Sequence, residues 1–286
     1  TAAVRISIMG LLNKGAGIVA PMVFTAFILT DMSGFSDEKL AMLSDIERTV
    51  QLSELSTRLI RPYVVMAVIL ALLSFVIHFS PLPEPMIESE ESCVDESVFT
   101  ILKFPQLVFG ALALFFYVGV EVIAGDTIGL FGQELGVENF GQLTSYTMAF
   151  MVSAYILGMV AIPRVISQEK ALALSGVIGV VLTVFILTAS GSNYSLWQIF
   201  LAWGEVPKLP NVVLYLAMLG FANALVWPAI WPMALDGLGK YTSTGSAVLI
   251  MAISGGAILP LLYGGIAEFS GNSQSAYWVL LPCYLI

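Results

Sequence analysis

Charge-poor apolar windows long enough for a helix to cross a lipid bilayer recur along the whole chain. A helix that spans the hydrocarbon core needs about 20 mainly apolar residues. Strands of a membrane β-barrel would instead alternate in polarity over about ten residues, and no such alternation is present. The sequence therefore predicts an all-α, multi-pass membrane protein with eight spans, the last of them incomplete. The predicted spans are approximately 6–30, 62–80, 106–131, 141–162, 171–190, 211–234, 243–267 and a segment that begins at 275.

The composition agrees with this prediction and excludes several other classes. Hydrophobic residues make up 58% of the 286 positions and charged residues 11%, whereas soluble domains carry roughly a quarter charged residues. The net charge of −9 argues against nucleic acid as a partner. Cys93 and Cys283 lie far apart and His78 is the single histidine, which argues against a disulfide framework or a metal site. We expect a lipid bilayer as a partner, and no metal and no cofactor.

Two long charged segments separate the early windows. Residues 31–61 place apolar side chains near helical spacing beside charges, which predicts a short amphipathic helix outside the membrane. Residues 81–103 are acidic and interrupted by proline, which is typical of a flexible linker. This linker is the predicted boundary between two helical bundles. Because the chain starts in one apolar window and stops inside another, we expect it to be a fragment of a longer protein.

Four stretches carry a resemblance to a known transporter family. Residues 227–268, WPAIWPMALDGLGKYTSTGSAVLIMAISGGAILPLLYGGIAE, resemble the tenth and eleventh helices, with their connecting loop, of the fucose permease and glucose/galactose transporter family. That family belongs to the major facilitator superfamily. YVGVEV at 117–122 is similar to a motif of the family's seventh helix, LLNKGAGIVAP at 11–21 to one of its fifth helix, and RPYVVMA at 61–67 to the start of its sixth.

The resemblance implies a major facilitator helical bundle of twelve helices in two groups of six, with alternating access to a central cavity. Residues 1–80 would be helices five and six, a remnant of the N-terminal bundle. Residues 81–103 would be the cytoplasmic interdomain loop, and residues 104–286 the C-terminal bundle with an incomplete helix twelve. Since helices one to four would be missing, we expect the chain by itself not to transport.

For function, the resemblance implies secondary transport of a monosaccharide across the bacterial inner membrane, coupled to H+ or, in some relatives, Na+. The full-length protein is expected to work as a monomer. The sequence departs from fucose permeases at three places. Gly10 replaces a glutamine, Lys14 follows Asn13 in place of a small polar residue, and Trp227 replaces a tyrosine. These changes favour a glucose/galactose-type hexose over fucose.

Glu121 and Tyr117 are the first candidate substrate-binding residues. A carboxylate at this depth of a span costs about 2.5–3.5 kcal/mol on insertion scales, so Glu121 should face a wet cavity or a neighbouring helix. Tyr117 lies four residues earlier and therefore on the same helical face. A ring beside an acceptor carboxylate suits a sugar, and a structural hydrogen bond to another helix is the alternative.

Three further residues complete the predicted substrate site. Asn13 matches the family's substrate-contacting asparagine, although a membrane asparagine also serves as interhelical glue. Asn223 and Trp227 are spaced i and i+4, which predicts one face of the 211–234 helix. Trp231 is more simply explained as packing. Lys14 either reaches toward the cytoplasmic interface, which is the simpler explanation, or places a charge in the cavity.

Five charged residues are candidates for gates. Asp126 lies about 140° around the helix from Glu121 and near its outer end, so it is either an outer-gate residue or an interfacial one. The resemblance places Arg164, Lys170, Asp236 and Lys240 in cytoplasmic loops. There they would form an inner gate, or anchor the helices at headgroups.

The function predicted from the sequence is transport, and two other classes were weighed against it. A non-transporting, sugar-sensing homologue of a permease fits the same residues. A membrane enzyme is disfavoured because no cluster of Asp, His, Ser or Cys occurs at a common depth in the predicted spans.

Overall fold

A computed structural model describes residues 2–28, 44–81, 103–162, 164–202, 204 and 207–286. These residues form helices joined by turns. Short 3-10 helices precede or link the α-helices at Phe140–Gln142, Gly239–Tyr241 and Tyr277–Val279. The α-helices are α1 Ala2–Ile28, α2 Asp45–His78, α3 Pro105–Glu134, α4 Leu143–Ala161, α5 Gln168–Thr188, α6 Ser195–Phe200, α7 Asn211–Asn223, α8 Val226–Leu235, α9 Thr242–Ala252, α10 Gly255–Ser270, α11 Ser273–Ala276 and α12 Leu280–Leu285.

Within the described residues, seven helical segments are long and apolar enough to cross a membrane, which confirms the all-α, multi-pass prediction. They overlap the first seven predicted windows. The window predicted from 275 instead forms short helical turns at 273–285. The segments are Ile8–Ala26, Ile46–His78, Pro105–Glu134, Phe140–Ala161, Gln168–Thr188, Asn211–Leu235 and Gly239–Ser270.

The contacts divide the chain into two units, residues 1–21 with 94–286, and residues 22–93. The first 21 residues thus group by contacts with the later helices. Residues 82–102, which include most of the predicted linker, lie outside the described residues. The predicted boundary between bundles therefore stays a prediction.

In the smaller unit, α2 is longer than the sequence predicted. Its N-terminus is fixed by a capping box, in which Ser44 accepts from the Glu47 backbone while Glu47 accepts from the Ser44 backbone. The helix then continues through Pro62 to His78. Residues 45–61 are helical, as predicted, but they continue into the span predicted at 62–80 and do not form a short helix of their own. Residues 31–43 of that segment lie outside the description.

In the larger unit, α3 packs against α4, α7, α8, α9 and α10. Its apolar side chains are fully buried at Leu114, Ile123 and Ile128. The closest approach is made by Gly255 of α10, where an added Cβ would lie 1.9 Å from the carbonyl oxygen of Phe115. Glycine is required there because any side chain would overlap the backbone of α3. Small residues that allow two helix backbones to approach closely are typical of helix contacts in membranes.

Two of the predicted single helices are interrupted. The 211–234 segment breaks at Ala224–Leu225, between α7 and α8. A proline ring clashes with the carbonyl four residues earlier, so Pro228 disfavours a regular helix at Ala224. The 243–267 segment breaks at Ile253–Ser254, just before the tightly packed Gly255. Both breaks lie within membrane-capable segments, where irregular backbone is tolerated only if it is buried in protein or lines a cavity.

Candidate functional site

Glu121 is at the centre of a polar network inside the larger unit. Its Oε1 accepts a hydrogen bond from the Lys14 ammonium, and its Oε2 accepts one from the Tyr117 hydroxyl. Lys14 and Glu121 are each 17% exposed at their side chains. Tyr117 lies one helical turn before Glu121 on α3, so the predicted shared face is observed.

Of the two roles predicted for Lys14, the charge in the cavity is the one observed, because its ammonium forms an ion pair with Glu121. The simpler expectation, that it extends toward the interface, is wrong. A partly buried carboxylate without a countercharge is costly, and the ammonium offsets part of that cost. The pair joins α1 to α3.

The network lines a cavity of ≈530 Å³. Small-molecule sites are commonly about 300–1,000 Å³. Four of the lining residues, Asn13, Tyr117, Glu121 and Trp227, belong to the substrate site predicted from the sequence. The complete lining is Met9, Gly10, Asn13, Lys14, Tyr117, Val118, Glu121, Val122, Tyr155, Trp227 and Trp231.

Two tryptophans of α8 line the cavity together. The rings of Trp227 and Trp231 stack, with centroids 5.3 Å apart and planes inclined by 21°. Their i and i+4 spacing puts them on one face of the short helix that follows the break. The sequence analysis gave Trp231 a packing role, whereas the structure places it in the cavity beside Trp227.

Tyr155 of α4 is a cavity residue that the sequence analysis missed. It is 3% exposed, and its ring passes so close to Gly10 that an added Cβ there would lie 2.9 Å from Cζ. A tyrosine inside an apolar window looks like any core residue. Gly10 leaves the space that the Tyr155 ring occupies. The sequence alone does not show that positions 10 and 155 are neighbours in the fold.

Asn223 does not line this cavity. It is the last residue of α7, 1% exposed, and its Oδ1 accepts a 2.8 Å hydrogen bond from the Tyr284 hydroxyl. Because the helix breaks before Trp227, the expectation that Asn223 and Trp227 share one continuous helical face is wrong. Its role in substrate binding stays a prediction.

The candidate gate residues lie at the surface. Asp126, Arg164, Lys170, Asp236 and Lys240 are all exposed. The backbone carbonyl of Asp236 accepts a 3.2 Å hydrogen bond from Gln106 Nε2, and the Lys240 ammonium lies 5.1 Å from the centroid of the Tyr241 ring. Their gating roles stay predictions.

Comparison with known proteins points to sugar transporters. No family model matches the chain. A "Glucose/galactose transporter" of Brucella abortus is 27% identical over 289 residues, which are 99% of this chain and 61% of that protein. An "L-fucose-proton symporter" of Haemophilus influenzae is 25% identical over 308 residues, covering 100% of this chain and 65% of that protein.

A solved structure matches the same length of chain. The Major Facilitator Superfamily transporter FucP, in its outward conformation, has a TM-score of 0.68 with 19% identity, over 99% of this chain and 66% of that one. FucP is the fucose:proton symporter of Escherichia coli. The two chains share a fold. This chain spans less than two thirds of the length of each of these proteins.

Proposed function

The chain belongs to the fucose permease and glucose/galactose transporter family of the major facilitator superfamily, and on that premise we propose that it serves secondary active transport of a hexose. The larger unit supplies one wall of the substrate cavity. Transport then rests on differential binding of sugar and coupling ion to outward-open and inward-open states, and no covalent chemistry is needed.

The observation that carries this proposal is the composition of the ≈530 Å³ cavity. Its lining combines the stacked indoles of Trp227 and Trp231 with the Lys14–Glu121–Tyr117 network and the amide of Asn13. A pyranose offers an apolar C–H face, which suits an aromatic platform, and a rim of hydroxyls, which suits donors and acceptors. One cavity meets both requirements.

The charges in the cavity support an uncharged substrate. The ammonium of Lys14 and the carboxylate of Glu121 compensate one another. A charged substrate would add an uncompensated charge within the membrane, which is costly. Together with Gly10 and Trp227 in place of the fucose permease residues, this favours a glucose/galactose-type hexose over fucose.

We assign proton coupling to the protein, with Na+ as the other candidate ion, at the bacterial inner membrane. The name of the Haemophilus relative supports the proton as coupling ion, and the bacterial origin of the relatives together with the multi-pass architecture supports the membrane. Glu121 is engaged by two donors. Because these donors hold the carboxylate at the wall of the cavity, we assign Glu121 to the sugar site, and we assign the coupling carboxylate to another part of the complete protein. Arg164, Lys170, Asp236 and Lys240 are assigned to the cytoplasmic gate and Asp126 to the outer one.

Counterflow of labelled hexose by the complete protein in proteoliposomes tests the proposal. We expect unlabelled hexose inside the vesicles to drive the accumulation of labelled glucose or galactose. Binding of hexose without counterflow would instead support the sugar-sensing homologue. Absence of hexose binding would reject both functions.

A further inference from the structure

The Tyr155 hydroxyl is a polar group in the wall of the cavity. Within the part of the chain that the structure describes, no hydrogen bond to this oxygen is formed. The residue is 3% exposed, yet it lines the ≈530 Å³ cavity. Polar groups in folded proteins are almost always hydrogen-bonded, to protein or to water. The Tyr155 hydroxyl is therefore available to whatever fills the cavity.

The position of the ring is fixed by its neighbours. On the side of α1, Gly10 provides the space, since an added Cβ would lie 2.9 Å from Cζ and 3.0 Å from the hydroxyl oxygen. Real Cβ atoms essentially never make contacts that short. Tyr155 is also packed in an apolar cluster that includes Leu11 of α1 together with Met148, Met151, Ala154, Phe221 and Ala224.

The charged groups of the cavity, Lys14 and Glu121, are already paired. Both carboxylate oxygens of Glu121 accept hydrogen bonds, one from Lys14 and one from the Tyr117 hydroxyl. Tyr117 has thus committed its only hydrogen. A phenol hydroxyl both donates and accepts, so Tyr155 has both capacities available for a ligand.

We propose that Tyr155 is a specificity-determining residue that hydrogen-bonds one ring hydroxyl of the hexose, and that Gly10 is the residue that admits it to the cavity wall. This inference rests on the proposed function. A site built to pair a substrate hydroxyl discriminates strongly against the analogue that lacks it, because its own polar group is then left unpaired. Tyr155 would therefore distinguish a hexose from one particular deoxyhexose.

The test compares wild type and Tyr155→Phe against glucose, galactose and the set of their monodeoxy analogues. Equilibrium binding is measured on the complete protein, with thermal melting as the check of folding. We expect Tyr155→Phe to weaken hexose binding about 10-fold. For one deoxy analogue, wild type and variant should bind equally, because the bond is absent in both complexes. A purely structural role would weaken all the sugars by the same factor.

Gly10→Ala tests the second half of the proposal. The added methyl group displaces the ring, so we expect the same loss of hexose affinity and the same loss of discrimination against that one analogue. Gly15→Ala is the matched control on α1, because nothing lies within 4 Å of its added Cβ. Tyr146→Phe is the control on α4, since Tyr146 is half-buried and does not line this cavity.

The outcomes separate this inference from the proposed function. If wild type binds hexoses and Tyr155→Phe leaves the pattern across the deoxy analogues unchanged, Tyr155 is not a specificity residue, while the transporter assignment stands. If wild type binds no hexose, both proposals are overturned.

Discussion

The ammonium of Lys14 pairs with the carboxylate of Glu121, 107 positions later in the chain, and so ties α1 to α3. Each charge alone would be costly inside the membrane. Together they give the cavity a dipolar wall without net charge. This wall of the cavity is therefore formed by two segments that are distant in sequence, and each segment supplies one charge of the pair.

Lys14→Met is expected to lower stability because it leaves the Glu121 carboxylate without its countercharge. Breaking a fully buried pair costs about 3–5 kcal/mol. Since both side chains retain access to the cavity, we expect about 2 kcal/mol here. Thermal melting in detergent measures the change. Adding Glu121→Gln to Lys14→Met should recover most of the loss, and a double variant no more stable than Lys14→Met would contradict the ion-pair interpretation.

Trp227→Ala is expected to weaken hexose binding about 10-fold, because the sugar loses an aromatic surface. Trp231→Ala should cost less, since Trp231 acts partly by supporting the ring of Trp227. Binding of labelled hexose gives the affinities. Trp278→Ala is the control, because Trp278 is 62% exposed and does not line the cavity. Equal affinities for the Trp227 and Trp278 variants would remove the indole pair from the site.

Asn223→Ala is expected to act on stability rather than on affinity. The change removes the 2.8 Å hydrogen bond from Tyr284, at a cost of about 1–2 kcal/mol. Tyr284→Phe should have a similar effect, and the double variant should be no worse than either single one. A fall in hexose affinity with normal stability would instead restore Asn223 to the substrate site predicted from the sequence.

Gly255→Ala is expected to prevent correct folding. Its Cβ would lie 1.9 Å from the Phe115 carbonyl oxygen, and a backbone atom has little room to move away. Gly264→Ala on the same helix meets nothing within 4 Å and should be tolerated. Yield of monodisperse protein in size-exclusion chromatography distinguishes them. Normal yield for Gly255→Ala would show that α3 and α10 have more freedom than their packing indicates.

The sequence predicted the membrane-capable helices and the Tyr117–Glu121 face, because both depend on local properties. Hydropathy sets a span, and i, i+4 spacing sets a face. The Lys14–Glu121 pair and the Gly10–Tyr155 contact were not predictable in this way, since each joins residues that only the folded chain brings together. The break at Ala224–Leu225 is predictable only in part. Pro228 indicates that the helix is distorted near this point, but the sequence does not show that Asn223 would contact Tyr284 and not lie beside Trp227.

The contact between Gly255 and Phe115 also bears on how the larger unit can rearrange. Because there is no space at this contact for one helix to slide past the other, we expect α3 and α10 to move together. The contact between α1 and α4 is less tightly packed. It includes the Gly10–Tyr155 contact, the flexible Met148 side chain beside Gly17, and one hydrogen bond from Ser145 to the Ile18 carbonyl. If the proposed transport involves movement between helices of the larger unit, we expect that movement between α1 and α4, where Tyr155 lies.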